Sequence, residues 1–139
     1  MVGVVFALLI YLLLDILLHM YMPGIRVMPI VTTLYGNEEK FIEPILIDSL
    51  LLQVHIDLFM SLFTSMIISS IYIRLYANKT FTKVLVHSLL ILGLLAPLFL
   101  IVAYFTSVIF IYLWLGSFWV WHLLGIWLSL LIVKKLLFK

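Results

Sequence analysis

The sequence predicts an all-α integral membrane protein with four transmembrane helices in one bundle, and three observations support this fold class. Of the 139 residues, 67% are hydrophobic and 10% are charged, whereas roughly a quarter of the residues of an ordinary soluble domain are charged. The mean hydropathy is +1.37. The fifty residues of segment 84–133 include no Asp, Glu, Lys or Arg. Together these features exclude a soluble globular fold.

The same composition excludes several function classes. Intrinsic disorder needs low hydrophobicity, and nucleic-acid binding needs a dense basic surface rather than a formal net charge of +2. Because the chain contains no cysteine, it can form no disulfide, thiolate nucleophile, iron–sulfur cluster or cysteine zinc site. The sequence also has no phosphate-binding glycine loop and no serine nucleophile arrangement, so we expect no catalytic activity of its own.

The lengths of the apolar segments set the number of crossings. The hydrocarbon core of a bilayer is about 30 Å thick, so a helix that crosses it needs about 20 largely apolar residues. As one helix, segment 84–133 would extend about 75 Å, so it must cross twice. We place its turn at Tyr104–Ser107, where hydroxyl groups can form hydrogen bonds. The predicted helices span residues 2–22, 49–73, 84–105 and 109–133, in a single domain 1–139 with a polar loop at 23–48.

The distribution of charge predicts the orientation. Six basic residues and no acids occupy the second connection and the C-terminal segment: Arg74, Lys79, Lys83, Lys134, Lys135 and Lys139. Basic residues favour the cytoplasmic or matrix side of a membrane. The loop 23–48 instead holds four acids and two bases. We therefore expect both termini on the cytoplasmic or matrix side, in a bacterial or archaeal plasma membrane or a mitochondrial inner membrane.

Two acids lie inside predicted helices. Asp15 shares one face of the first helix with Tyr11 and His19, each one turn away, and Asp57 lies in the second helix. An unpaired carboxylate in hydrocarbon costs several kcal/mol or more, so each acid must be protonated, paired or hydrated. His19 is the nearest candidate partner of Asp15. One interpretation is proton or ion movement, with Asp15 and Asp57 as titrating groups; the other is a static pair that only holds the helix at its depth.

Each predicted helix contains one histidine, and these are His19, His55, His87 and His122. His87 lies about one turn from the inner surface, so we expect an interface residue there. Two histidines on different helices could ligate a b-type haem, and His55 with His122 is the candidate pair. A second candidate is a transition-metal site formed by Asp15, His19 and His55, because carboxylate and imidazole suit zinc, copper or iron. The alternative for each histidine is a structural hydrogen bond to a neighbouring hydroxyl or acid.

The second predicted helix has two polar faces. Gln53 and Asp57 lie on one face, while His55 and Asp48 point nearly the opposite way at about 100° per residue. Because neither face suits lipid, we expect this helix to be central in the bundle or shared with another membrane subunit or a second copy. We therefore rank first the role of an accessory or anchor subunit of a larger membrane complex, with a respiratory or electron-transfer complex as one option.

A resemblance bears on the haem interpretation. In helix count and in histidines alone, the layout is similar to that of the haem-binding membrane anchors of quinone-linked respiratory enzymes. No motif of that family aligns residue by residue, so the resemblance assigns no role to any residue of this chain. It is consistent with haem b as a cofactor, while a transition metal is the alternative that Asp15, His19 and His55 suggest.

Overall fold

A computed structural model describes residues 1–21, 24–77 and 80–138 of the chain. These ranges contain five α-helices, one short 3-10 helix and no strand. The elements are α1 (Val2–Tyr21), α2 (Val27–Tyr35), a 3-10 helix (Glu38–Lys40), α3 (Ile47–Leu75), α4 (Thr80–Phe105) and α5 (Ile109–Leu137). Met22 and Pro23, at the predicted end of the first helix, and Lys79 and Lys139, in the two basic clusters, lie outside the described residues.

Four of the helices, α1, α3, α4 and α5, are long and apolar enough to cross a membrane. The all-helical fold class is therefore confirmed, and the ends of these helices lie within four residues of the predicted ones. α3 and α5 are longer than the predicted helices 49–73 and 109–133. Their backbone hydrogen bonds continue into the segments where the side chains become polar. α4 ends at Phe105, and the Thr106 hydroxyl then donates to the carbonyl of Val102 at 2.6 Å, in the segment predicted as the turn.

The helix α2 lies within the segment predicted as a polar loop. Its residues Ile30 and Leu34 are one turn apart and both are buried, so this short helix packs one apolar face on the bundle. Pro29 stands in the first turn, where a missing amide costs no helical hydrogen bond. Gly36 ends the helix with φ 78°, a conformation that favours glycine. The hydroxyl of Tyr35 donates to the carbonyl of Ala103 and attaches α2 to α4.

Two apolar layers fill the interior. The upper layer, at the end that carries α2, includes Ile30, Leu34, Leu100, Ile111, Trp114 and Phe118. The lower layer, at the opposite end, includes Val5, Leu8, Leu12, Ile68, Leu89, Leu128 and Ile132. α1 runs antiparallel to α5, because His19 near the end of α1 contacts Phe118 near the start of α5, while Gly125 faces Leu12. The four acidic and imidazole side chains described below lie where the two layers meet.

Proline 97 stands inside α4. A proline has no amide hydrogen, so the carbonyl four residues earlier, that of Gly93, loses its helical partner. The hydroxyl of Ser61 on α3 lies 2.7 Å from this carbonyl oxygen and donates to it. Beside it, the Trp121 indole donates to the Ser65 hydroxyl at 3.0 Å. These contacts join α3, α4 and α5 at one level of the bundle, directly below the polar side chains.

Candidate functional site

Two aspartates and two histidines from three helices form a buried cluster, which we call the Asp/His cluster: Asp15 and His19 on α1, Asp57 on α3 and His122 on α5. His122 Nε2 lies 2.9 Å from Asp15 Oδ2. His19 Nε2 lies 3.4 Å from Asp57 Oδ2, and its Nδ1 lies 3.6 Å from Asp15 Oδ1. The side chains of His19 and His122 are only 4% and 1% exposed. The side chains of Asp15 and Asp57 are 13% and 17% exposed, so the four groups interact mainly with one another.

The backbone fixes the orientation of both imidazole rings. His19 Nδ1 lies 2.9 Å from the carbonyl oxygen of Asp15, and His122 Nδ1 lies 2.9 Å from that of Phe118, in each case one helical turn back. Because a carbonyl oxygen only accepts, Nδ1 carries the proton in both rings. The Phe118 ring packs against both imidazoles, with centroid distances of 4.8 and 4.1 Å. Each Nε2 is consequently aimed at a carboxylate.

This arrangement can hold one shared proton in each imidazole–carboxylate pair. With Nδ1 already protonated, each Nε2–carboxylate contact needs one further proton, which belongs either to the imidazole or to the carboxyl group. The first state is an imidazolium–carboxylate pair and the second a neutral imidazole beside a carboxylic acid. Both states leave the pair without net charge, which avoids the cost of an uncompensated carboxylate in hydrocarbon. A proton can therefore change owner within each pair while the net charge of the bundle stays constant.

A small internal cavity of about 30 Å³ adjoins the cluster. All four cluster residues line it, and Tyr11, Ser61 and Pro97 contribute other parts of its wall. A volume of this size accommodates one water molecule. No Lys or Arg is among the described residues that line the cavity, so the histidines supply the positive charge that the carboxylates can pair with. The arrangement is suited to holding and transferring protons.

The structure brings together four of the residues that the sequence analysis selected and leaves others apart. Asp15 and His19 adjoin as expected, but the closest partner of the Asp15 carboxylate is His122 rather than His19. The contact between His19 and Asp57, which joins α1 to α3, was not predicted from the sequence. His87 is exposed on α4, with its Nδ1 hydrogen-bonded to the carbonyl of Lys83.

His55 lies on the exposed face of α3, away from the cavity that His122 lines. The structure therefore does not bring together His55 and His122, the expected haem ligands, because Asp57 and not His55 occupies the inward face of α3 at this level. The expected metal set of Asp15, His19 and His55 is divided in the same way. Within ranges 1–21, 24–77 and 80–138, no group of three or more His, Asp or Glu side chains is arranged to hold a metal ion.

Three buried hydroxyl groups have no hydrogen-bond partner among the described residues: those of Thr64, Ser69 and Ser129. Thr64 and Ser69 belong to α3 and Ser129 to α5, and all three lie further toward the lower end than the Asp/His cluster.

Comparison of the chain with protein families, curated proteins and solved structures found no significant match.

Proposed function

We propose that this protein is a proton-coupled membrane transport protein, with the Asp/His cluster as its proton-binding site. The observation that carries the proposal is the pair of contacts between an imidazole Nε2 and a carboxylate oxygen, His122 with Asp15 and His19 with Asp57. In both pairs the other ring nitrogen is fixed to the backbone, so Nε2 is held in place for proton exchange. Intramembrane acids and histidines that face the bundle interior are the groups that serve as proton relays.

The two apolar layers favour coupled transport over an open proton channel. Below the cluster, the buried side chains of the lower layer include no Asp, Glu, His, Lys or Arg, and Tyr72 is the one phenol among them. A proton that reaches the cluster from the upper end therefore stays there until the helices rearrange or until a second solute changes the balance of charge. An exchange mechanism requires that the proton site is accessible from one end at a time, because a continuous path would dissipate the gradient.

We propose that the upper end faces the outside and that both termini face the cytoplasm or matrix. The acidic segment that contains α2 would then be exposed outside, and the bases that flank α3, α4 and α5 would be inside, in agreement with the positive-inside rule. The role of accessory or anchor subunit, with its respiratory option, and assembly through α3 stay predictions. The exposed apolar surfaces of the four long helices are suited to contact with lipid.

Infrared difference spectroscopy of the protein in lipid nanodiscs tests the proton-binding role. We expect bands of protonated carboxyl groups that change with pH and shift within minutes of transfer to D₂O. Asp15→Asn and Asp57→Asn should each remove one component. Asp48→Asn is the matched control, because Asp48 is an exposed carboxylate on α3 that accepts from the Ser49 amide at 2.8 Å. Bands that neither titrate nor exchange would show that the cluster is a static clamp between helices, and the proposed function would be wrong.

A further inference from the structure

A second cavity lies on the other side of the contact between His19 and Asp57. It is a groove of about 320 Å³ between α1 and α3, a size typical of small-ligand sites. α1 packs mainly on α5, and α3 mainly on α4, so the two helices that border the groove are held apart. His19 and Asp57 line both the groove and the internal cavity. Their contact is therefore the wall between the proton-binding cluster and the groove.

The lining of the groove divides into an apolar and a polar part. Four aliphatic side chains form the apolar part: Leu18, Ile45, Leu52 and Ile56. Ser49, Gln53, Asp57 and His19 form the polar part. Leu52 and Ile56 are 62% and 51% exposed on a helix suited to cross a membrane, so the groove opens sideways toward the position of the lipid. A molecule that fills it needs an apolar body and a polar head.

The charges around the groove select the sign of that head. Asp57 is the acid in its wall, and the described residues that line it include no Lys or Arg. The segment above the groove, residues 24–48, carries four acids against two bases, which raises the local concentration of cations. When the shared proton is absent, Asp57 is an uncompensated carboxylate beside a neutral imidazole, and a positively charged head would replace the missing charge.

We propose that this groove binds a lipophilic organic cation in exchange for one proton. The inference rests on the proposed function, because the proton that is released is the one shared by His19 Nε2 and Asp57 Oδ2. On binding, that proton passes to water at the upper end and the cationic head pairs with the Asp57 carboxylate. His19 keeps its Nδ1 proton, which it donates to the backbone carbonyl of Asp15. One positive charge enters and one leaves, so the charge of the site is conserved.

The neighbours of Asp57 determine the pH dependence of this exchange. The titratable groups that face it across the small cavity are Tyr11, Asp15 and His19 from α1 and His122 from α5, and α4 contributes Gly93, Ala96 and Pro97, none of which titrates. The pair formed by His122 and Asp15 keeps its own shared proton, so exchange involves a single proton. Because the cation and one proton compete for the same site, linkage predicts that the Kd of the cation rises as the pH falls, by up to about tenfold per pH unit.

Calorimetry with octyltrimethylammonium in phosphatidylcholine nanodiscs tests the proposal. This probe has no proton of its own, so a proton released on binding comes from the protein, and titrations in two buffers of different ionisation enthalpy count it. Empty nanodiscs correct for partition into lipid, and octyl sulfate provides the same chain with the opposite charge. We expect saturable binding of the cation with release of about one proton, and weaker or no binding of the anion.

Three variants connect the binding to the groove. Asp57→Asn should abolish both binding and proton release, whereas the control Asp48→Asn should retain them. Ile56→Trp fills the groove without a change of charge, so it should raise the Kd at least about tenfold while the carboxyl bands of the infrared test are kept. Trp fluorescence and size-exclusion chromatography verify that each variant is folded.

The failures are distinguishable. If the carboxyl bands titrate but the cation binds no better than octyl sulfate, or binds equally to Asp57→Asn and Ile56→Trp, the groove accommodates only lipid chains and this inference is wrong while the proposed function stands. If the bands neither titrate nor exchange, both are wrong.

Discussion

Replacement of Ser61 by Ala tests how the bundle tolerates Pro97. The Ser61 hydroxyl donates to the Gly93 carbonyl at 2.7 Å, and Ser61 is 6% exposed, so bulk water has little access to this carbonyl once the bond is lost. A buried carbonyl without a donor costs about 1–3 kcal/mol, while interhelical hydrogen bonds in a membrane protein average about 0.6 and reach about 1.7 kcal/mol. We therefore expect Ser61→Ala to lower the free energy of unfolding by about 1–1.5 kcal/mol, within the range where these two scales overlap.

The double-mutant cycle with Pro97→Ala gives this prediction its specificity. An alanine at position 97 restores the amide that donates to Gly93, so in that background Ser61→Ala should cost less than about 0.5 kcal/mol. Unfolding in mixed micelles, followed by the fluorescence of the four Trp residues, measures both steps. Ser61 Oγ also lies 3.1 Å from the carbonyl of Leu58. An equal cost in both backgrounds would mean that the hydroxyl serves Leu58, and the reasoning about Pro97 would be refuted.

Three further predictions concern other contacts. Gly93→Ala would place a methyl carbon 2.8 Å from the indole nitrogen of Trp121. It should therefore lower the free energy of unfolding by about 1–3 kcal/mol and change the Trp fluorescence. Gly116→Ala is the control, because nothing lies within 4 Å of the added methyl group there. Asp15→Asn should change the free energy of unfolding by less than about 1 kcal/mol, because the asparagine amide can donate to His122 Nε2. Asp15→Ala should lower it by about 1–3 kcal/mol. Equal costs for the two variants in an unfolding assay would indicate a permanent ion pair. Burial raises the pKa of Tyr35. The hydrogen bond from Tyr35 to α4 should therefore stabilise α2 below about pH 10 and be lost as the pH rises through the raised pKa. Hydrogen exchange of the α2 amides measures this loss, with Tyr35→Phe as the control.

Hydropathy predicted the long helices because the requirement that it reflects is local. A segment of about 20 apolar residues crosses hydrocarbon whatever its neighbours are, so the spans could be read from the sequence directly. α2 was missed because Val27–Tyr35 is only nine residues long and its apolar face is evident only once Ile30 and Leu34 have a surface to cover. Such short helices depend on tertiary packing more than on propensity.

The site could be predicted in its residues but only partly in its contacts. Burying an acid has a high cost wherever it occurs, so Asp15 and Asp57 were identified from the sequence. Which imidazole meets which carboxylate depends on the rotation and depth of each helix about its neighbours. Asp57 lies on the inward face of α3, whereas His55 lies on the exposed face. The two residues are two positions apart, and each position turns the helix by about 100°, so their side chains point in nearly opposite directions. Sequence periodicity separated these two faces but could not show which of them faced α1.

The position of Pro97 gives the cluster a structural context. Ser61 and Asp57 are one turn apart on α3 and line the same small cavity as Gly93 and Pro97, so the helix α4 lacks a backbone hydrogen bond at the level of the Asp/His cluster. The bond that replaces it comes from a side chain, and a side-chain hydroxyl can rotate away without disruption of the remaining helical hydrogen bonds. Leu89 of the lower apolar layer lies one turn before Gly93 on α4. The helix that contributes Leu89 to the lower layer is therefore also the one in which the Ser61 hydroxyl replaces a backbone hydrogen bond, one helical turn from Asp57.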